Sequence, residues 1–250
     1  MFFNLPKNYN GKTPLTLSFE DASGKTIRSF SLHPKDKKAR KYKPWELTAM
    51  DAITVANYRN ARDTVVEPGM NSFVWDMRYP SATEIVGQHI VPTDDFRDNP
   101  DGPTTLPGDY TVVLNYGGNV MKQPLTIKVD PRLTPPADAL QARLSLAQEL
   151  WTTLDTLDKT VNAALAKRGS IPAGKRAELD KAIAAVYEAN YRSSEADIMN
   201  PSKLRDHLAF LMNSLDLAYQ APTAAERDAA KELEGQANDA IAQIKSLAGL

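Results

Sequence analysis

The sequence predicts an α+β chain of two domains. An antiparallel immunoglobulin-like β-sandwich is expected over residues 1–132, followed by an antiparallel three- or four-helix bundle over residues 133–250. Two patterns and a boundary carry this. Before "VDPRLTPPADAL" (Val129 to Leu140), glycine and proline are frequent and apolar residues alternate, as on a strand with one buried face. After it, Ala and Leu recur at three- and four-residue spacing, the period of a helix with one apolar stripe. The prolines of the stretch itself mark the change of grammar and place the domain boundary there.

"LTLSF", Leu15 to Phe19, puts two leucines and a phenylalanine on one face and is the first expected strand. "EDASGKT" follows as a turn in which Gly24 can take positive φ, and "TIRSFSL" returns with Ile27 and Phe30 to complete a hairpin. "GMNSFVWDMRYP", Gly69 to Pro80, is the third strand: Phe73, Trp75 and Met77 alternate with Val74, Asp76 and Arg78, so the first three are expected to face the core. "GDYTVVLNY" and "VMKQPLTIKV" flank Gly117 and Gly118, which suit the tight turn of a second hairpin. Pro124 cannot donate to a ladder and points to an edge strand or a bulge. Strands without intervening helices imply the sandwich. Two long insertions interrupt it, at about 33–68 and 80–107, and connections of that length tend to be functional or mobile.

In the second half, Leu140, Leu144, Ala147, Trp151, Leu154, Leu157, Val161 and Leu165 form one stripe of about seven turns. Leu179, Ile183, Val186 and Asn190 mark a second helix after "RGSIPAG". "NPSK" offers Asn200 as a cap and Pro201 as a first-turn residue for a third helix through Leu204, Leu208, Leu211 and Leu215. "TAAE", Thr223 to Glu226, reads as a capping box opening a fourth through Leu233, Ala240, Ile244 and Leu247.

Composition narrows the chemistry. The 250 residues carry a formal net charge of −1, so no global field points to nucleic acid or an anionic membrane. Without cysteine there is no disulfide, thiolate site or cysteine nucleophile, and three scattered histidines, His33, His89 and His207, make a histidine-rich metal site poor value. No apolar run approaches the ~18 residues of a membrane span. The first residues, "MFFNLPKNYNGKTPLTLSF", lack the basic start and apolar run of a signal peptide. The chain is then either cytoplasmic or a piece of a longer one whose signal lies upstream.

Candidate sites are few. Asp76, Glu84, Asp94, Asp95 and Asp98 could supply a carboxylate pair, but solvated loop and turn residues are the favoured reading. Asp94, Asp95, Asp98 and Asp101, with Gly102 after the last, have the oxygen-rich composition of a calcium loop without the alternate spacing of an EF-hand, and a solvated acidic turn is preferred. The basic run from Lys35 to Lys43, near Tyr42 and Trp45, is read as a solvated loop rather than a nucleic-acid contact. Trp75 and Tyr110 are the natural aromatic platform for a carbohydrate, yet their strand positions favour burial. There is no G-x-S-x-G elbow.

Four stretches, "LTLSFEDASGKTIRSF", "PGMNSFVWDMRYP", "GPTTLPGDYTVVLNYGG" and "QPLTIKVDPRL", occur in an order that resembles the C-terminal region of bacterial exported sortilin-like (BNR/VPS10-type) β-propeller proteins. The sandwich is also similar to the FlgD-type immunoglobulin-like fold, in which a "W-D" strand precedes a "P-G-x-Y" strand. "YQAPTAAERDAAKELEGQANDAIAQI" looks like that family's closing helix. Two features depart from it: the propeller's repeated Ser-x-Asp-x-Gly-x-x-W motif is absent, and the first insertion carries its basic run.

The resemblance implies a non-catalytic structural or protein-interaction module that scaffolds or docks a neighbouring domain, with a protein partner or an upstream β-propeller. It also implies an extracytoplasmic location. No catalytic residue, cofactor, nucleic acid or small-molecule ligand is expected. The alternative is a carbohydrate-binding accessory module of a secreted glycoside hydrolase.

Overall fold

The computed structural model describes residues 1–35, 64–87, 101–187 and 202–250. The chain is α+β and divides into two compact units, one holding the strands and one holding the helices together with Ser81–Gly87.

The strand unit contains β1 (Phe2–Leu5), β2 (Leu15–Asp21), β3 (Thr26–Pro34), β4 (Val65–Val66), β5 (Gly69–Ser72), β6 (Gly108–Tyr116) and β7 (Asn119–Ile127). Five form a sheet in the order β4-β3-β2-β6-β7, and β1 pairs with β5 in a separate antiparallel ribbon. The larger sheet is mixed rather than purely antiparallel, because β4 runs parallel to β3, His33 opposite Val65. Both expected hairpins form. In the first, the Asp21 carboxylate accepts from Ser23 N, Ser23 Oγ and Lys25 N at 2.9, 2.6 and 3.0 Å, which closes the turn. In the second, Gly117 and Gly118 have φ of 58° and 90°, the two positive values a type I′ turn requires. A Cβ at Gly117 would also lie 2.5 Å from the Thr13 methyl, so glycine is needed there twice over. Pro124 lies on β7, the last strand of the sheet, where its missing donor costs no ladder bond.

Alternation on β2 buries Leu15, Leu17 and Phe19. Their core also gathers Leu5 from β1, Tyr110 and Leu114 from β6, and Phe73 and Trp75 beyond β5. Phe19 stacks on Trp75 with ring centroids 4.1 Å apart, and Tyr110 meets the indole edge-on at 5.9 Å.

The long strand expected over Gly69 to Pro80 is shorter. Its ladder with β1 stops at Ser72, and β1 itself carried too little alternation to be expected. Phe73 and Trp75 are buried as expected, but Met77 is 44% exposed with a φ of 59°. The cause is a local bend. Arg78 N donates to Asp76 Oδ1 at 3.1 Å, and Trp75 Nε1 donates to the Arg78 carbonyl at 3.1 Å. The Met77 carbonyl then accepts from Thr105 N and Oγ1 at 2.8 and 2.9 Å. Asp76 pairs with Arg28 of β3 at 3.1 Å.

The helical unit has α1 (Ala137–Lys167), α2 (Ala173–Val186), α3 (Leu204–Leu215) and α4 (Ala224–Ala248). α1 packs on α3 and α4, and α2 packs on α4. Leu150, Leu154, Leu157, Val161 and Ala164 of α1 are wholly buried, while Trp151 is only partly so, since Leu150 takes the inward position at that turn. The expected capping box opens α4: Glu226 N donates to Thr223 Oγ1 at 3.2 Å and Thr223 N to Glu226 Oε2 at 2.7 Å. α3 begins at Leu204, where Lys203 N donates to the Asp206 carboxylate at 2.7 Å. The proposed caps Asn200 and Pro201, and Asn190 of the second stripe, lie outside the described residues.

Candidate functional site

The concentration of polar chemistry in the helical unit lies where Ser81–Gly87 crosses α1. This segment has no helix or strand, yet Ala82 and Ile85 are 4% and 1% exposed and belong to the helical core. Its backbone cannot satisfy itself, so α1 supplies the partners. Asp155 Oδ1 accepts from Thr83 N and Thr83 Oγ1 at 3.0 and 2.7 Å. Asn162 uses both ends of its amide: Oδ1 accepts from Val86 N at 2.8 Å, and Nδ2 donates to the Glu84 carbonyl at 2.8 Å. Asp155 and Asn162 are seven residues apart and so share one face of the helix.

Between them on that face is Asp158, fully buried. It receives Nε of Arg205, also fully buried, at 3.0 Å to each carboxylate oxygen. Nη2 of the same guanidinium lies 3.5 Å from Glu84 Oε2, on a side chain 11% exposed. α1, α3 and the crossing segment therefore meet at one cation and two carboxylates. Removing these charges from water is costly, and their mutual attraction must offset it.

The ionisation of the cluster follows from that cost. Burial pushes the Asp158 carboxyl up to about 7, against the pull of Arg205, and the neighbouring Glu84 and Asp155 charges add to the rise. Burial likewise raises Glu84, opposed by Arg205 and helped by Asp101. At Arg205 desolvation works against the charge, but Asp158, Glu84 and Asp206 outweigh it and hold the proton more tightly. Asp155 behaves oppositely to its neighbour. Burial works against its charge, but Lys159 at 2.6 Å and the two Thr83 donors more than compensate, so its carboxyl sits below the ordinary range. A carboxyl poised near neutrality can act as a general acid where substrate reaches it. Asp158 and Arg205 have no exposed surface, so the geometry fits a fastening rather than a reaction centre.

Of the acids expected to be solvated, Glu84 is instead drawn into the core of the helical unit. Asp76 stays on the surface of the strand unit with Arg28. Asp94, Asp95 and Asp98 lie outside the described residues, which leaves Asp101 alone placed of the calcium candidates. Among the described residues, no three His, Cys, Asp or Glu side chains gather as metal ligands would. Of the basic run, Lys35 is described, 3.6 Å from Glu67; the rest falls outside. Trp75 and Tyr110 are 7% and 9% exposed, and the Tyr110 hydroxyl donates to the Leu106 carbonyl at 2.6 Å, so neither offers a ring face to a sugar. No helix among the described residues is long and apolar enough to cross a membrane.

A shallow groove between α1 and α4 is lined by Glu149, Arg227, Lys231 and Glu234 around Leu146 and Ala230. Its two acids lie close enough that Glu234 is raised, by burial first and by Glu149 second. Asp158 and Arg205 were not singled out from sequence, although the signal existed. Asp158 sits between Leu154 and Val161 on the stripe, and Arg205 precedes Leu208, Met212 and Leu215 at core spacing. Comparison with family models, with curated proteins and with solved structures finds no match to this chain.

Proposed function

We propose that this chain is a non-catalytic structural or protein-interaction module, an immunoglobulin-like sandwich joined to an antiparallel helical bundle. In this reading it resembles the C-terminal region of exported sortilin-like propeller proteins and works outside the cytoplasm, docking a neighbouring propeller or another protein. The observation that supports it is the apolar display on the helical unit. Phe210 on α3 is 63% exposed, and Leu217 and Tyr219 just beyond that helix are 85% and 50% exposed. Large apolar side chains exposed within one short stretch of chain suit a contact surface. The sandwich reading is supported by a core shared between the five-stranded sheet and the β1–β5 ribbon.

The test is co-purification of the full chain with a sortilin-like propeller, followed by gel filtration. The expected result is a complex that the F210S/L217S double variant no longer forms while keeping its far-UV circular dichroism. A wild-type chain that elutes as a monomer, alone and in the mixture, would rule out docking to the propeller.

A further inference from the structure

We propose that Ser81–Gly87 is a strap held on the helices by a proton-dependent latch: one proton shared between Glu84 and Asp158 beside Arg205 seats the strap, and its loss loosens it. This does not depend on the docking reading. It rests first on charge and position. Glu84 comes from the strap, Asp158 from α1 and Arg205 from α3, all buried or nearly so. With both carboxylates ionised, the guanidinium faces two negative charges where water cannot screen them. With one proton bound, a single ion pair remains and the second carboxyl is neutral. Like carboxylates in one buried site share a proton for this reason.

Among the described residues, the other charged groups acting on the latch are acids. From α1, Asp155 is committed to Lys159 and Thr83. From α3, Asp206 adds a further acid next to Arg205, and its carboxylate accepts from Lys203 N. From the chain after the strap, Asp101 adds another near Glu84. The raised Asp158 and Glu84 carboxyls agree with this arrangement, and the lowered Asp155 titrates well below the window concerned.

The sign follows from linkage. The seated strap binds a proton that is given up on release, when Glu84 returns to water and titrates near the ordinary carboxylate range while Asp158 keeps Arg205 without a competing carboxylate. Seating is therefore tightest in mild acid and is lost as pH rises through neutrality. The strap's hydrogen bonds report this directly, because Thr83 N and Val86 N are both donors to α1.

The experiment is amide hydrogen exchange of the full chain from pH 5.5 to 8, with each rate divided by its intrinsic rate at that pH. In the wild type, protection of Thr83 and Val86 should fall by roughly 10- to 100-fold across the range, as one linked proton allows. Both should remain less protected than Leu157 in the middle of α1, since strap opening leaves the helices folded. The Asp158→Asn and Glu84→Gln variants each remove one carboxylate, and their Val86 protection should vary by less than about threefold over the same range. Glu84→Gln lies at the edge of the core and keeps the test alive if Asp158→Asn does not fold. A flat wild-type profile would overturn the latch, as would an undiminished slope in a folded variant. Equal protection of Val86 and Leu157 throughout would overturn the strap as an independently opening element.

Discussion

Replacing Trp75 with alanine separates a core role from a ligand role in one measurement. The indole is 7% exposed, stacks on Phe19 at 4.1 Å, meets Tyr110 edge-on and donates to the Arg78 carbonyl. Burying an indole withdraws ~200 Å² from water, which at ~25 cal/mol per Å² amounts to ~5 kcal/mol. That is an upper bound, because the denatured chain already hides part of its surface. The lost hydrogen bond adds ~1 kcal/mol, and the alanine Cβ and partial collapse of the cavity recover some of the total. The expected cost is about 3–5 kcal/mol, in line with tryptophan truncation in other cores. Far-UV circular dichroism is dominated by the helices, so the readout is hydrogen exchange of Leu15–Asp21 and Gly108–Tyr116. Protection there should fall by roughly 10²- to 10³-fold or more, since 1.4 kcal/mol is a factor of ten. A loss of less than tenfold would refute the core assignment and return Trp75 to the candidates for a binding platform.

Tyr110→Phe keeps the ring and removes one hydrogen bond, leaving the Leu106 carbonyl without its donor; about 1–2 kcal/mol should be lost, read as faster exchange in β6. Thr223→Ala breaks one arm of the capping box and should cost about 1 kcal/mol, visible as loss of protection at the Glu226 amide with the middle of α4 unchanged. Arg205→Met leaves two buried carboxylates without their cation and should destabilise the helical unit by about 3–5 kcal/mol in urea titrations at pH 7. The double variant Arg205→Met/Asp158→Leu should regain more than half of that, and a double variant no more stable than the single would argue that the pair itself contributes net stability.

Much of the fold was legible because local and global preferences agree. The Leu15–Phe19 alternation, the paired glycines at 117 and 118, and the Thr223–Glu226 box each encode their geometry within a few residues. The opening motif of the third strand was half legible. Its aromatic alternation correctly buries Phe73 and Trp75, but the Asx-type bend at Asp76 turns Met77 outward, and a period-2 pattern carries no sign of a side chain bonding its own backbone. Asp158 and Arg205 stand at core positions of their stripes, but their meeting with Glu84 was not legible, because the three are far apart in sequence. A lone aspartate on a helical stripe, an arginine among leucines and a glutamate in a proline-rich connection acquire meaning only when they meet. The mixed pairing of β4 escaped for a related reason: two valines in parallel register with β3 are too short a stretch to carry a period.

The strap also bears on how this chain can be divided or inherited. Its residues fall between β5 and β6 in sequence, yet Ala82 and Ile85 complete the core of the helical unit. The two units are therefore not two consecutive blocks of chain. A truncation at residue 133 would produce helices with an exposed apolar furrow, and an Arg205 deprived of one of its carboxylates. The companion fragment would carry two buried-type side chains with nowhere to go. Recombination that exchanged the helices as a contiguous block would meet the same defect, so the helices and the Thr83–Val86 sequence are bound to change together. Any excised version of the helical unit must bring the strap with it.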